Sequence, residues 1–168
     1  MSHIEAKKQD TSSCTPMEHR AFEQPEVLTE EALFFHHGII GFGNDQRYTL
    51  TPFPRAEYAP LQLLIHHQNP SIHFLIVCDQ VLDKKYHVSD LSHVHQIFGY
   101  NAATTKCYFI VTVLGQGAEM LVAINQRAPV LIDHAGKRAG QHIMADTQLP
   151  LSMPLPEFSV ALRARITP

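Results

Sequence analysis

The chain has 168 residues and a mass of 18.9 kDa, enough to bury a core without disulfide or metal staples. It is 45% hydrophobic and 17% charged, with 13 Lys and Arg against 16 Asp and Glu, a formal charge of −3. That balance excludes a protein whose main work is gripping a phosphate backbone, which needs a clustered basic face, so no direct nucleic-acid contact is expected. The compositional oddity is 12 histidines, whose ordinary pKa of about 6.5 would let mild acid reverse the sign of the surface. Partner binding that varies between about pH 5.5 and 7.5, without metal dependence, is the corresponding expectation. Cys14, Cys78 and Cys107 are odd in number and widely spaced, without a C-x-x-C pair, and read as reduced thiols. No apolar run approaches the roughly 18 residues of a membrane span, and the first residues, MSHIEAKKQDTSSCTP, carry no apolar signal core. A cytoplasmic protein without membrane attachment is expected, with a monomer as the default.

Residues 1–21 are polar and lack an apolar period, and read as a disordered tail. Short apolar, β-branched runs follow, separated by Gly, Pro, Asn and Asp, which is a pattern of many short strands. The best are Leu61 to Ile65, Ile72 to Cys78, Cys107 to Leu114, Met120 to Ile124, Val130 to Asp133 and Gln141 to Ala145. Residues 115–119 and 134–140 contain glycines able to take positive φ and read as hairpin connections, making consecutive strands antiparallel neighbours. The run from Cys107 to Leu114 lacks clean alternation and is expected at the centre, covered on both faces. One short helix is expected at about 89–98, with Ser89 as N-cap, Leu91, Val94 and Phe98 on one face, and Gly99 as its stop. Near the end, Pro150, Pro154, Pro156 and Pro168 exclude regular structure apart from Phe158 to Arg165, so residues 156–168 read as an extension lying across the surface. The fold class is therefore mainly β, a small antiparallel, barrel-like single domain with one short helix.

Chemistry is harder to find. His93 and His95 form an H-x-H pair, which on a strand would offer two ligands to one metal, as in cupin barrels. On a helix, residues two apart point about 200° from each other and cannot share an ion. The doublets His36-His37 and His66-His67 would, on strands, point to opposite faces, and no carboxylate or thiolate partners accompany them. No G-x-S-x-G occurs, and Cys78 and Cys107 sit within apolar strands where a thiol is inert. Gly38-Ile39-Ile40-Gly41-Phe42-Gly43 lacks the Lys-Ser/Thr of a phosphate-binding loop and is instead a turn carrying apolar side chains. These residues point away from catalysis.

Phe34-Phe35-His36-His37-Gly38-Ile39-Ile40-Gly41-Phe42, followed by Tyr48-Thr49-Leu50, resembles the opening of the FliW family of bacterial flagellar assembly factors, I-x-F-x-x-G-I-P-G-F before a strand. Leu61-Gln62 is similar to that family's L-Q segment, and Phe74 to Asp79 to its F-x-V-x-D-P strand. Asn125 to Asp133 resembles N-L-x-A-P-I-V-I-N, and Gly140 to Met144 resembles G-x-Q-x-I-L. The order and spacing agree over residues 22–155, the expected domain. There are departures: Ile40 and Gln80 stand where the family has proline, Glu23 where it has glycine, and Asp133 where it has Asn. Losing the proline at Ile40 is expected to loosen the turn.

The resemblance implies a non-enzymatic partner switch without cofactor or metal. Such a protein binds the C-terminal region of flagellin and antagonises CsrA, the RNA-binding translational repressor of flagellin, so that synthesis follows filament assembly. The residues it nominates for partner contact are Ile39, Phe42, Asp79, Asn125, Pro129 and Gln141. Phe42, between Gly41 and Gly43, is either an exposed anchor or a ring folded back as a core plug. Asp79, Asn125, Pro129 and Gln141 fit the family pattern, but a structural role such as shaping turns is the favoured reading for these four. The competing reading is a small metal-dependent, cupin-like β-barrel enzyme that uses histidine ligands.

Overall fold

The computed structural model describes residues 30–43, 46–89 and 91–166, and the expected tail, Cys14 and Glu23 lie outside them. Among the described residues are nine strands and two α-helices. The strands are β1 (Glu31–Phe35), β2 (Arg47–Pro52), β3 (Gln62–His66), β4 (His73–Cys78), β5 (Thr105–Leu114), β6 (Leu121–Ile124), β7 (Val130–Asp133), β8 (Arg138–Gln141) and β9 (Met153–Pro154). The helices are α1 (Ser92–Phe98) and α2 (Pro156–Ile166).

β1, β2, β3, β4 and β5 pair in sequence, all antiparallel, and β5 leads back to β1 through β7 and β8. Pairing of β4 with β5 closes the ring β4-β3-β2-β1-β8-β7-β5 into a seven-stranded barrel. One joint, β1 with β8, is parallel, with Phe34 opposite Arg138 and Phe35 opposite Ala139. Hairpin signals cannot reveal that joint, because it brings together strands about a hundred residues apart. β6 and β9 extend the sheet outward from the far half of β5.

β5 is shared by two cores. Tyr108 packs inside the barrel with Leu33, Phe35, Tyr48, Leu50, Leu64 and Ile76. Cys107, Phe109 and Val111 point outward into a second core with Val77, Val122, Leu155, Phe158 and Leu162. Both faces are thus covered from Cys107 to Val111, which explains the missing alternation there, whereas Thr112, Val113 and Leu114 are exposed and the expected double cover stops short of them. Burial pushes the Cys78 thiol up to about 11, and Cys107 is raised further, so neither is a ready nucleophile.

Several boundaries differ from the sequence expectation. The strand expected at Gln141 to Ala145 is instead β8, Arg138–Gln141, because the turn of 134–137 is short and the ladder to β7 starts at Arg138. Asp133 fixes that turn by accepting from Thr104 Oγ1 at 2.8 Å, the Gly136 N–H at 3.2 Å and Arg138 at 3.0 Å. These bonds, that from Thr104 foremost, hold its carboxyl below the usual range. α1 begins at Ser92, with Leu91 in the capping position and no side-chain cap, so Ser89 does not cap it. Gly99 ends it as expected, in the left-handed region at φ 63°.

The largest difference is at the C-terminal end. Pro156 starts a helix, where a missing N–H costs nothing, and Phe158, Ser159 and Leu162 of α2 are buried. Ser159 Oγ donates to the Leu155 carbonyl and accepts from the Val122 N–H, stitching α2 to β6. Residues 156–166 are therefore part of the outer core. Phe158→Ala should lower unfolding free energy by about 3–5 kcal/mol in denaturant titration. A mere surface extension would leave it unchanged.

Candidate functional site

Phe35 is the last residue of β1, and beyond it the chain turns across one end of the barrel. Gly38, Gly41 and Gly43 take positive φ, at 67°, 88° and 82°, which lets a tight turn form with the Phe42 N–H donating to the Ile39 carbonyl at 2.9 Å. The two isoleucines part company here. Ile39 is 1% exposed and plugs the barrel interior, whereas Ile40 is 50% exposed. Phe42 is 47% exposed, its ring edge-on to Phe74 at 4.7 Å. The plug is thus Ile39 and the open aromatic is Phe42.

Gln141 organises the neighbourhood. Its Oε1 accepts from the Ile40 N–H at 3.0 Å and its Nε2 donates to the Ala128 carbonyl at 3.2 Å. One side chain therefore ties the glycine turn to the 125–129 turn. A proline at position 40 would have no N–H to give, so the expected loosening at Ile40 is offset by a hydrogen bond that proline forbids. Asn125 Oδ1 accepts from the Ala128 N–H at 3.0 Å and shapes the second turn, in which Pro129 is buried. Asp79 is half-buried beside Cys78, and desolvation raises its carboxyl above the usual value. Of the six nominated residues, Ile39, Phe42 and Gln141 meet at this end, Asn125 and Pro129 reach it through the second turn, and Asp79 belongs to the turn after β4.

Next to the glycine turn lies an open groove of about 540 Å³, lined by the His36-His37 doublet, by Ile97 and Phe98 of α1, and by Gln141, His142 and Ile143. Ile97 and Ile143 were not singled out from sequence, yet they are 63% and 57% exposed. Ile97 lies off the Leu91, Val94, Phe98 face of α1, and that was the available signal. The doublet also differs from expectation. His36 and His37 sit in a turn, not on a strand, so both rings reach the same groove, with centroids 6.2 Å apart.

Two of the other described histidines serve structure. His66 is buried in β3 and accepts from the Asn69 N–H, and His134 bridges Glu31, at 2.7 Å, and the Tyr108 hydroxyl, at 3.0 Å. His93 and His95 lie on α1, as the helical reading required, with His93 against His142 at 5.6 Å between centroids. Among the described residues, no three of His, Cys, Asp or Glu are placed to hold one metal ion. Nor is any helix among them long and apolar enough to cross a membrane.

A closed barrel with an outer helix-covered core, an apolar turn and an open groove at one end defines a small β-barrel protein with a surface suited to macromolecular contact. Comparison with known proteins supplies the family. The family model described as FliW protein matches residues 16–155. The flagellar assembly factor FliW of Bdellovibrio bacteriovorus is 24% identical over 135 residues, covering 80% of this chain and 75% of that protein. That of Caldicellulosiruptor saccharolyticus is 22% identical over 132 residues, covering 79% of this chain and 84% of the relative. A crystal structure of the flagellar assembly factor FliW shares the fold, with a TM-score of 0.61 and 18% identity over 73% of this chain and 83% of its own. The chain belongs to the FliW family, as a divergent member.

If Gln141 is the tie between the two turns, Gln141→Ala should cost about 1–3 kcal/mol for two lost hydrogen bonds. It should also broaden the amide resonances of Ile40 and Ala128. Unchanged stability and sharp resonances would show the turns to be held independently.

Proposed function

We propose that this protein is a cytoplasmic flagellar assembly factor that acts as a monomer and without catalysis, binding the C-terminal region of flagellin and antagonising CsrA. The observation that carries the reading is the family match over residues 16–155. The exposed apolar turn of Ile40 and Phe42 supports a protein partner, since large apolar side chains held on a rigid turn are the kind that anchor interfaces.

The regulatory logic is mass action. While flagellin accumulates it occupies this protein, and once flagellin is exported the free protein captures CsrA and releases translation. The charge of −3 suits the second task, because negative charge brought beside a phosphate-binding surface opposes RNA there. Ile40, Phe42 and the adjoining Gln141 are the proposed contact residues. Ile39 contributes by plugging the barrel beneath them, while Asn125 and Pro129 hold the neighbouring turn and Asp79 marks the turn after β4.

The immobilised full chain should retain flagellin and CsrA from a lysate of the same cell, and added flagellin should release CsrA. Ile40→Asp with Phe42→Ala should weaken at least one partner by about tenfold or more. Retention of neither partner by the unaltered protein contradicts the proposal.

A further inference from the structure

The groove beside the glycine turn has a wall chemistry of its own. Its apolar part is Ile97, Phe98 and Ile143, of which Ile97 and Ile143 are open to solvent. Its polar part is three imidazoles, those of His36, His37 and His142, and the lining includes no carboxylate, lysine or arginine. Gln141, the other polar liner, already spends its amide on the Ile40 N–H and the Ala128 carbonyl. The surface therefore offers imidazole nitrogens, with no carboxylate among the described lining residues to face them. We infer that this groove seats an amphipathic protein segment bearing carboxylates, its apolar side chains covering Ile97 and Ile143 and its carboxylates meeting His36, His37 and His142. The inference rests on the proposed function only in taking the occupant to be protein.

Charge selects this occupant over a basic one. A lysine-rich segment would meet three groups that repel it once protonated, whereas a carboxylate favours the charged ring. The ionisable neighbours do not cancel this. From α1 come His93, which faces His142, and His95 on the same helix, and from β8 comes Arg138, already bound to Asp133 at 3.0 Å. In the free chain burial, then His93, holds His142 below the ordinary imidazole value. A bound carboxylate raises each ring's pKa, and binding then takes up protons. The gain in affinity is complete below the free-state pKa and is lost as pH rises through the bound-state pKa.

The test uses the 15N-labelled full chain and two synthetic helical peptides of equal length, one of leucine and glutamate, the other of leucine and lysine. The Leu/Glu peptide should shift the amides of Ile97, Phe98 and Ile143 saturably, and bind at least about fivefold tighter at pH 6.0 than at pH 7.5. The Leu/Lys peptide should not. Ile97→Asp with Ile143→Asp should abolish the response. His36→Gln with His142→Gln, which leaves the apolar contacts in place, should keep binding but flatten its pH dependence. No saturable shift, equal binding of both peptides, or an unaltered pH profile in the histidine variant overturns the inference. Leu/Glu binding at the groove by a chain that retains neither flagellin nor CsrA would uphold the groove and overturn the flagellar role. Flagellin capture without any peptide response would do the reverse.

Discussion

Everything in this fold hangs on β5 being buried on both sides as far as Val111. Tyr108 fills the barrel from within while Cys107, Phe109 and Val111 face the outer core, so one ten-residue strand is wall to two compartments. Its ladder is shared as well: β7 pairs with residues 105–108, β4 with 108–111 and β6 with 111–114. Close-packed interiors on both faces leave such a strand little room to slip, since a one-residue shift would exchange the two sets of side chains. The β4 pairing closes the barrel and the β6 pairing founds the platform on which α2 lies.

A rigid barrel is what allows its end to carry exposed apolar groups in a defined arrangement. Ile39 locks the glycine turn to the interior, and Gln141 ties that turn to its neighbour. Ile40 and Phe42 are consequently displayed rather than collapsed inward. On the other side of Gln141, α1 is held by Val94 and Tyr100 packing against Leu131, the outward residue of β7, which leaves Ile97 facing solvent.

The sequence disclosed the parts of this design that depend on local pattern. The centrality of β5 followed from its unbroken apolar run, the stop of α1 from Gly99, and the β5–β6 and β7–β8 connections from their glycines. Non-local features left weaker marks. The parallel joint of β1 to β8 has no local signal, and β8 itself, Arg138–Gln141, is a short and partly polar segment. Pro156 looked like a breaker but is a helix starter, and the reach of α2 into the core depends on contacts with β6 that no window of sequence contains. Of the nominated contact residues, Phe42 was legible as a ring on a glycine turn. Ile97 and Ile143 were not, because their exposure is set by what α1 and β8 pack against.

The account's central claim is that a barrel built around β5 presents one end, the glycine turn and adjoining groove, to a protein partner. Amide hydrogen exchange on the full chain, alone and with flagellin, addresses it most directly. β5 should exchange slowest in both states, and flagellin should newly protect residues 38–43, 97–98 and 141–143 while leaving β5 unchanged. New protection confined to the β5–β6 hairpin or α2, with the barrel end unaffected, would contradict the account.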